Sequence, residues 1–154
     1  GGSLLDIGIY PLYLCELLLG PPTTLQAMAR FSPTAVDTYC AMLLDYGHSA
    51  KARLLSTLEA NTRTEAFIYG SKGMVYIHPR FHESQRVTLR NDSGDTHFNL
   101  PFTGQGFVHE IEEVHQCLRD SQWESEKHSH ADSLALAELL DRIRETIGLT
   151  YPQE

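Results

Sequence analysis

The chain is poor in cations: 12 Lys and Arg stand against 20 Asp and Glu, a formal net charge of −8. No Lys/Arg-rich block occurs. Phosphate binding is driven by clustered basic side chains, so the acidic balance argues against nucleic acid as a partner, and none is expected. Cysteine is scarce too. Cys15, Cys40 and Cys117 are an odd number without motif spacing, which excludes a disulfide framework and a cysteine zinc site. They read as reduced, buried thiols of a cytoplasmic protein. No apolar run spans a bilayer, which takes about 20 mostly uncharged residues, and no membrane partner is expected. The opening run lacks the basic stretch and the small-residue cleavage site expected of a signal peptide. No G-x-G-x-x-G follows a strand, so no dinucleotide fingerprint and no cofactor-binding residue are found in this chain. Nor does the chain start with Met: Gly1 and Gly2 lead straight into a helix. That glycine pair is either a cloning scar or the cut edge of a piece from a longer protein.

What remains is an ordinary globular composition in a length of 154 residues, enough for one domain with a real core. The opening stretch GGSLLDIGIYPLYLCELLLG predicts an apolar helix over 4–19, stopped by Gly20 with Pro21 and Pro22 beyond it. Pro11 lies inside that pattern and should kink or divide it. Strands are expected in TTLQAMARFS, VDTYCAMLLDYG and SAKARLLSTLEA. In the last, Ala50, Ala52, Leu54, Ser56 and Leu58 alternate with Lys51, Arg53, Leu55, Thr57 and Glu59. TEAFIYG and MVYIHP flank a turn at Gly70 to Gly73, and QRVTLR and DTHFNL flank one at Asn91 to Gly94.

Helices return after Gly106. FVHEIEEVHQCLRD puts Val108, Ile111, Val114, His115 and Leu118 on one stripe. ADSLALAELLDRIRETIG does the same with Leu134, Leu136, Leu139, Leu140, Ile143 and Ile147, closing at Gly148 and Pro152. Helix, run of strands, then two helices is an α+β order: a predominantly antiparallel open sheet of about six or more strands with helices packed on one face. In DTYCAMLLDYG both faces are apolar, Cys40, Met42 and Leu44 on one and Tyr39, Ala41 and Leu43 on the other. Such a sheet needs cover on both sides, and a homodimer through the open sheet face supplies it.

The chemistry concentrates at Asp6 and Tyr10, neighbours at i, i+4 on the first helix. One reading is structural, with Asp6 capping a helix start at the Pro11 break and Tyr10 a core aromatic with its hydroxyl at the surface. The other is acid/base chemistry. A phenol with a reference pKa of about 10 donates usefully at neutral pH only beside positive charge. No cation in the motif provides it, so a lysine from elsewhere or a cationic cofactor ring would have to. Other candidates are weaker. His128 and His130 lack further ligands at matching spacing and read as a solvated loop, so no metal is expected. His78 and His82 flank Pro79 and read as a loop. Phe102 and Phe107 in PFTGQGF, among glycines before a helix, are candidates for the border of a substrate pocket, or a plain connector. Trp123 reads as a partly buried anchor.

GGSLLDIGIYPLYLCELLLG resembles the start of the C-terminal domain in the glucose–fructose oxidoreductase / inositol dehydrogenase (Gfo/Idh/MocA) family, whose signature there is GG-x-L-x-D-x-G-x-(H or Y). The Tyr form is most similar to the branch of dimeric dihydrodiol dehydrogenases and NADP-dependent xylose dehydrogenases. GSKGMV at 70–75, GFVHEIEEVHQCL with the Glu124–Ser125 pair after it, and DSLALAELLDRIRETIGLTYP resemble later blocks of the same domain, in the right order. The resemblance implies a dihydrodipicolinate reductase-like, or glyceraldehyde-3-phosphate dehydrogenase-like, C-terminal domain. It implies a sugar or dihydrodiol substrate and a cofactor, NADP or NAD, bound mainly by an N-terminal Rossmann domain that also carries an E-K-P lysine. Tyr10 would be the general acid/base, and Asp6 would orient the site. The chain departs from the family by lacking that first domain and is expected to be inactive alone. A rival expectation is a non-catalytic dimerisation or ligand-binding module on the same fold.

Overall fold

A computed structural model describes residues 1–47 and 50–151, in two compact units, Gly1–Asn61 with Lys127–Glu154 and Thr62–Glu126. Ser49, in the expected third strand, and Pro152, in the expected last stop signal, lie outside the described residues.

The first unit is built on a three-stranded antiparallel sheet, β1 (Thr24–Phe31), β2 (Asp37–Asp45) and β3 (Lys51–Thr57), with β2 in the centre. Its register aligns Leu25, Leu44 and Ala52 in one row, Ala27, Met42 and Leu54 in the next, and Ala29, Cys40 and Ser56 in a third. These rows face the core, as the period-2 alternation requires. Over them lie the first helix, through Leu4, Leu12 and Cys15, and α3 (His130–Ile147), through Leu136, Leu139, Leu140 and Ile143. The opposite face carries Met28, Ala41 and Leu55 in one row and Gln26, Leu43 and Arg53 beside it. Met28, Leu43 and Leu55 are 67%, 52% and 46% exposed there. Two ion pairs flank them, Arg30–Glu59 at 3.0 Å and Lys51–Asp45.

The first helix starts as a wide π-helical turn, Leu4–Gly8, and continues as α1 (Ile9–Leu19). The irregularity expected at Pro11 therefore takes the form of a widened turn just before it. Pro11 donates no hydrogen bond, and its ring crowds the carbonyl four residues back, Ile7; a wider turn relieves that contact. α1 is apolar on every side, so only part of it is covered: Leu12 and Cys15 are buried, while Leu17, Leu18 and Leu19 reach solvent. It stops at Gly20, whose φ of 71° is open to glycine. α3 begins with a capping box in which Ser129 accepts from the Asp132 N–H and Asp132 accepts from the Ser129 N–H. Leu134, placed on the core stripe by periodicity, is exposed.

The second unit holds a four-stranded antiparallel meander, β4 (Ala66–Gly70), β5 (Gly73–Ile77), β6 (Arg86–Asn91) and β7 (Gly94–Asn99), and α2 (Val108–Arg119). Both glycine turns form as expected. At Gly73, with φ 144°, a Cβ would come within 2.2 Å of the Arg90 carbonyl, so no side chain fits. The α+β class is thus observed, and among the described residues the seven strands form two antiparallel sheets, of three and four strands, rather than one open sheet. The polar stretch between β3 and β4 carries the chain from one to the other without a ladder. In α2 the expected stripe points outward: Ile111, Val114 and Leu118 are exposed, and Cys117 is the buried residue. Trp123 is exposed rather than an anchor.

Candidate functional site

Asp6 lies in the middle of the wide turn and Tyr10 in the first turn of α1. A π-helical turn is over-represented at functional sites because it re-aims the side chains around it. Asp6 is exposed, and Tyr10 is 46% exposed, so neither is sealed in the interior. The core-aromatic reading of Tyr10 does not hold, since the neighbours that enter the core are Leu4 and Leu12. The capping reading of Asp6 does not hold either. The wide turn runs into α1 without a side-chain cap, and Asp6 contributes its N–H to the Gly2 carbonyl at 3.1 Å.

The residue that does cap this helix comes from the sheet. Asp37, the first residue of β2, is fully buried, and its Oδ2 accepts the Leu4 N–H at 2.6 Å. Nothing local in the sequence signals this, because the partners are 33 residues apart. The clue was a carboxylic acid opening a strand that is apolar on both faces. Gly2 packs so closely on Asp37 that a Cβ there would lie 1.7 Å from Oδ1, and one on Gly8 would lie 3.2 Å from the Ser56 hydroxyl. These two glycines let the wide turn sit directly on β2 and β3.

Near this seat, burial acts on two thiols and a phenol. Burial, with the nearby Asp37 adding to it, pushes the Cys40 thiol up to about 11. Burial likewise raises the Cys15 thiol and the Tyr46 phenol. All three cysteines are free and buried.

Phe102 and Phe107 belong to the second unit. Phe102 is half-buried with its ring against Gly106, 3.7 Å from where a Cβ would stand; Phe107 is exposed at the start of α2. His128 is not a solvated loop residue. It meets the Tyr13 ring edge-on at 5.1 Å, and its Nε2 lies 3.1 Å from the Ser133 hydroxyl. His78 follows β5 and shares a chain of contacts with Thr88 (2.8 Å) and, through it, His97 (3.0 Å). His82 lies in a single 3₁₀ turn, Phe81–Glu83.

The model of the GFO/IDH/MocA C-terminal domain matches residues 1–76, the stretch that holds Asp6, Tyr10 and Asp37. Over that stretch the chain matches the GFO/IDH/MocA C-terminal domain. Among curated relatives, the domain is similar to the trans-1,2-dihydrobenzene-1,2-diol dehydrogenase of Xenopus laevis, 33% identical over 162 residues, covering 99% of this chain and 48% of that protein. It is also similar to the enzyme of the same name from Mus musculus, 29% identical over 164 residues, covering 100% of this chain and 48% of that protein. The chain spans about half the length of these relatives. Among solved structures, the 3-ketoreductase KijD10 from Actinomadura kijaniata in complex with NADP superposes with a TM-score of 0.78 at 26% identity, covering 96% of this chain and 48% of that one. The aldose-aldose oxidoreductase from Caulobacter crescentus shares the fold, with a TM-score of 0.80 at 21% identity over 95% of this chain and 45% of that one.

Proposed function

We propose that this domain is the substrate-side half of an NADP- or NAD-dependent oxidoreductase acting on a CH–OH group of a sugar or dihydrodiol, with Tyr10 as its general acid/base and Asp6 beside it to orient the reacting hydroxyl. The observation that carries the reading is the half-exposed phenol one helical turn from an exposed carboxylic side chain, at the junction of a wide turn and α1. The dihydrodiol dehydrogenases it resembles and the NADP complex of the 3-ketoreductase support the reaction class and the cofactor. A nicotinamide ring, held mainly by an N-terminal domain, supplies hydride exchange when bound. The part of this chain is the proton: Tyr10 takes it from the substrate hydroxyl in oxidation and returns it to the carbonyl oxygen in reduction. Positioned proton transfer of this kind is worth about 10²–10⁴-fold in rate. Phe102 and Phe107, in the second unit, are proposed as apolar substrate contacts.

We further propose a homodimer through the outer face of β1–β3. An apolar row of Met28, Ala41 and Leu55, beside Leu43 and bordered by two ion pairs, suits a self-complementary contact. The three buried free thiols suit a reducing cytoplasm.

The test uses the full-length protein, with the N-terminal cofactor domain, NADP, and trans-1,2-dihydrobenzene-1,2-diol or xylose. Tyr10→Phe is expected to lower kcat by about 10²-fold or more while NADP still binds, and Asp6→Asn to lower it with a rise in KM. Native turnover in Tyr10→Phe would falsify the acid/base role and favour a binding module on the same fold.

A further inference from the structure

We propose that Asp37 is the positioning residue of the Asp6–Tyr10 pair, a role that rests on the acid/base reading of Tyr10 given above. The hydrogen bond Asp37 accepts comes from backbone, and it is the backbone from which both side chains of the pair project. Its Oδ2 accepts the N–H of Leu4, the first residue of the wide turn. Its Oδ1 is buried, finds no hydrogen-bond partner, and faces Gly2 at a separation that leaves no room for a methyl group. The carboxyl group thus meets the backbone at two points, Gly2 and Leu4, and it stands at the start of the central strand of the sheet.

The far end of the same turn is fixed in a similar way. Gly8 sits on Ser56, whose hydroxyl is also buried without a hydrogen-bond partner, and Ser56 pairs in register with Cys40 three residues beyond Asp37. The wide turn therefore has one seat at each end, both on adjoining strands. Asp6 lies between the seats and Tyr10 two residues past the second. A shift at the Leu4 seat moves Asp6 directly and rotates the start of α1, where Tyr10 lies. Reacting groups tolerate little such movement, since a misplacement of about 1 Å costs on the order of 10²-fold in rate. A helix cap serving stability alone would change melting without changing the chemistry of the folded molecules.

The test measures kcat, KM, NADP affinity and melting temperature in the full-length protein, with NADP and trans-1,2-dihydrobenzene-1,2-diol or xylose. Asp37→Ala is expected to lower kcat of the folded enzyme by about 10- to 100-fold, with NADP affinity unchanged. Asp37→Asn, which keeps an acceptor oxygen for the Leu4 N–H, is expected to restore most of that loss. Gly2→Ala leaves Asp37 in place but drives a methyl group into its carboxyl, so it should reproduce the kcat loss of Asp37→Ala. A lowered melting temperature with native kcat in Asp37→Ala or in Gly2→Ala overturns the proposal; if Asp37→Ala fails to fold, Gly2→Ala decides it. Loss of kcat in Tyr10→Phe alongside native kcat in both other variants removes Asp37 while leaving the acid/base reading standing. Native kcat in Tyr10→Phe removes both. Amide hydrogen exchange gives an outcome independent of turnover: Asp37→Ala should speed exchange over residues 4–10, and unchanged exchange there overturns the proposal as well.

Discussion

Cys40 illustrates how far single side chains here are set by their surroundings. It is fully buried on the core face of β2, and burial with the neighbouring Asp37 raises its thiol from about 9 to about 11. An unfolded chain gives up that proton near pH 9, whereas the folded chain keeps it to about 11. Between those values the folded state binds more protons, so stability is expected to fall as pH rises through this window. A denaturation series from pH 8 to 11 checks it, and Cys40→Ser should flatten the slope. At pH 8 the thiol should also resist alkylation until denaturant is added. Ile143, with no exposed surface at the meeting of α3 and the sheet, is expected to cost about 2–5 kcal/mol on Ile143→Ala, read by urea unfolding. Trp123, almost wholly exposed, should cost nothing measurable in the same experiment.

At the scale of elements, α3 depends on its start. Ser129→Ala removes the hydroxyl that accepts the Asp132 N–H and is expected to cost about 1 kcal/mol. Its contacts with Ser129 hold the Asp132 carboxyl below the usual range, so the stability they bring is present above about pH 4 and lost as pH falls through the depressed value. The variant should therefore lose less than the native chain on acidification, which melting between pH 2 and 5 would show. The elements themselves were largely legible in the sequence. Gly73 and Gly94 announced their hairpins because only glycine fits those backbones, and the alternation in 51–57 named the core face of β3. Two things were not legible. Pro11 signalled an irregularity but not its kind, because a clash with the carbonyl four residues back is relieved by a kink or by a wider turn alike. In α2 the spacing of Ile111, Val114 and Leu118 revealed an apolar stripe and nothing about which way it would face. At the candidate site the pair Asp6 and Tyr10 was readable from spacing and resemblance; Asp37 was not, since its contact with Leu4 closes a loop of 33 residues.

For the whole molecule, the outer face of β1–β3 bears the assembly prediction. Leu43→Asp and Leu55→Asp place charge in an exposed apolar face and so should leave the fold intact, as judged by circular dichroism. Sedimentation is expected to shift from dimer to monomer; a native chain that already sediments as a monomer at micromolar concentration would refute the contact. The first unit carries a last consequence. Its core joins residues 1–61 to residues 127–154, with the entire second unit between them. On the ribosome the greasy inner rows of β1–β3 emerge long before Leu136, Leu139, Leu140 and Ile143 are made. Until α3 arrives, the sheet must wait with only the first helix over it, and it is in that interval that a nascent chain of this design is most in need of a chaperone.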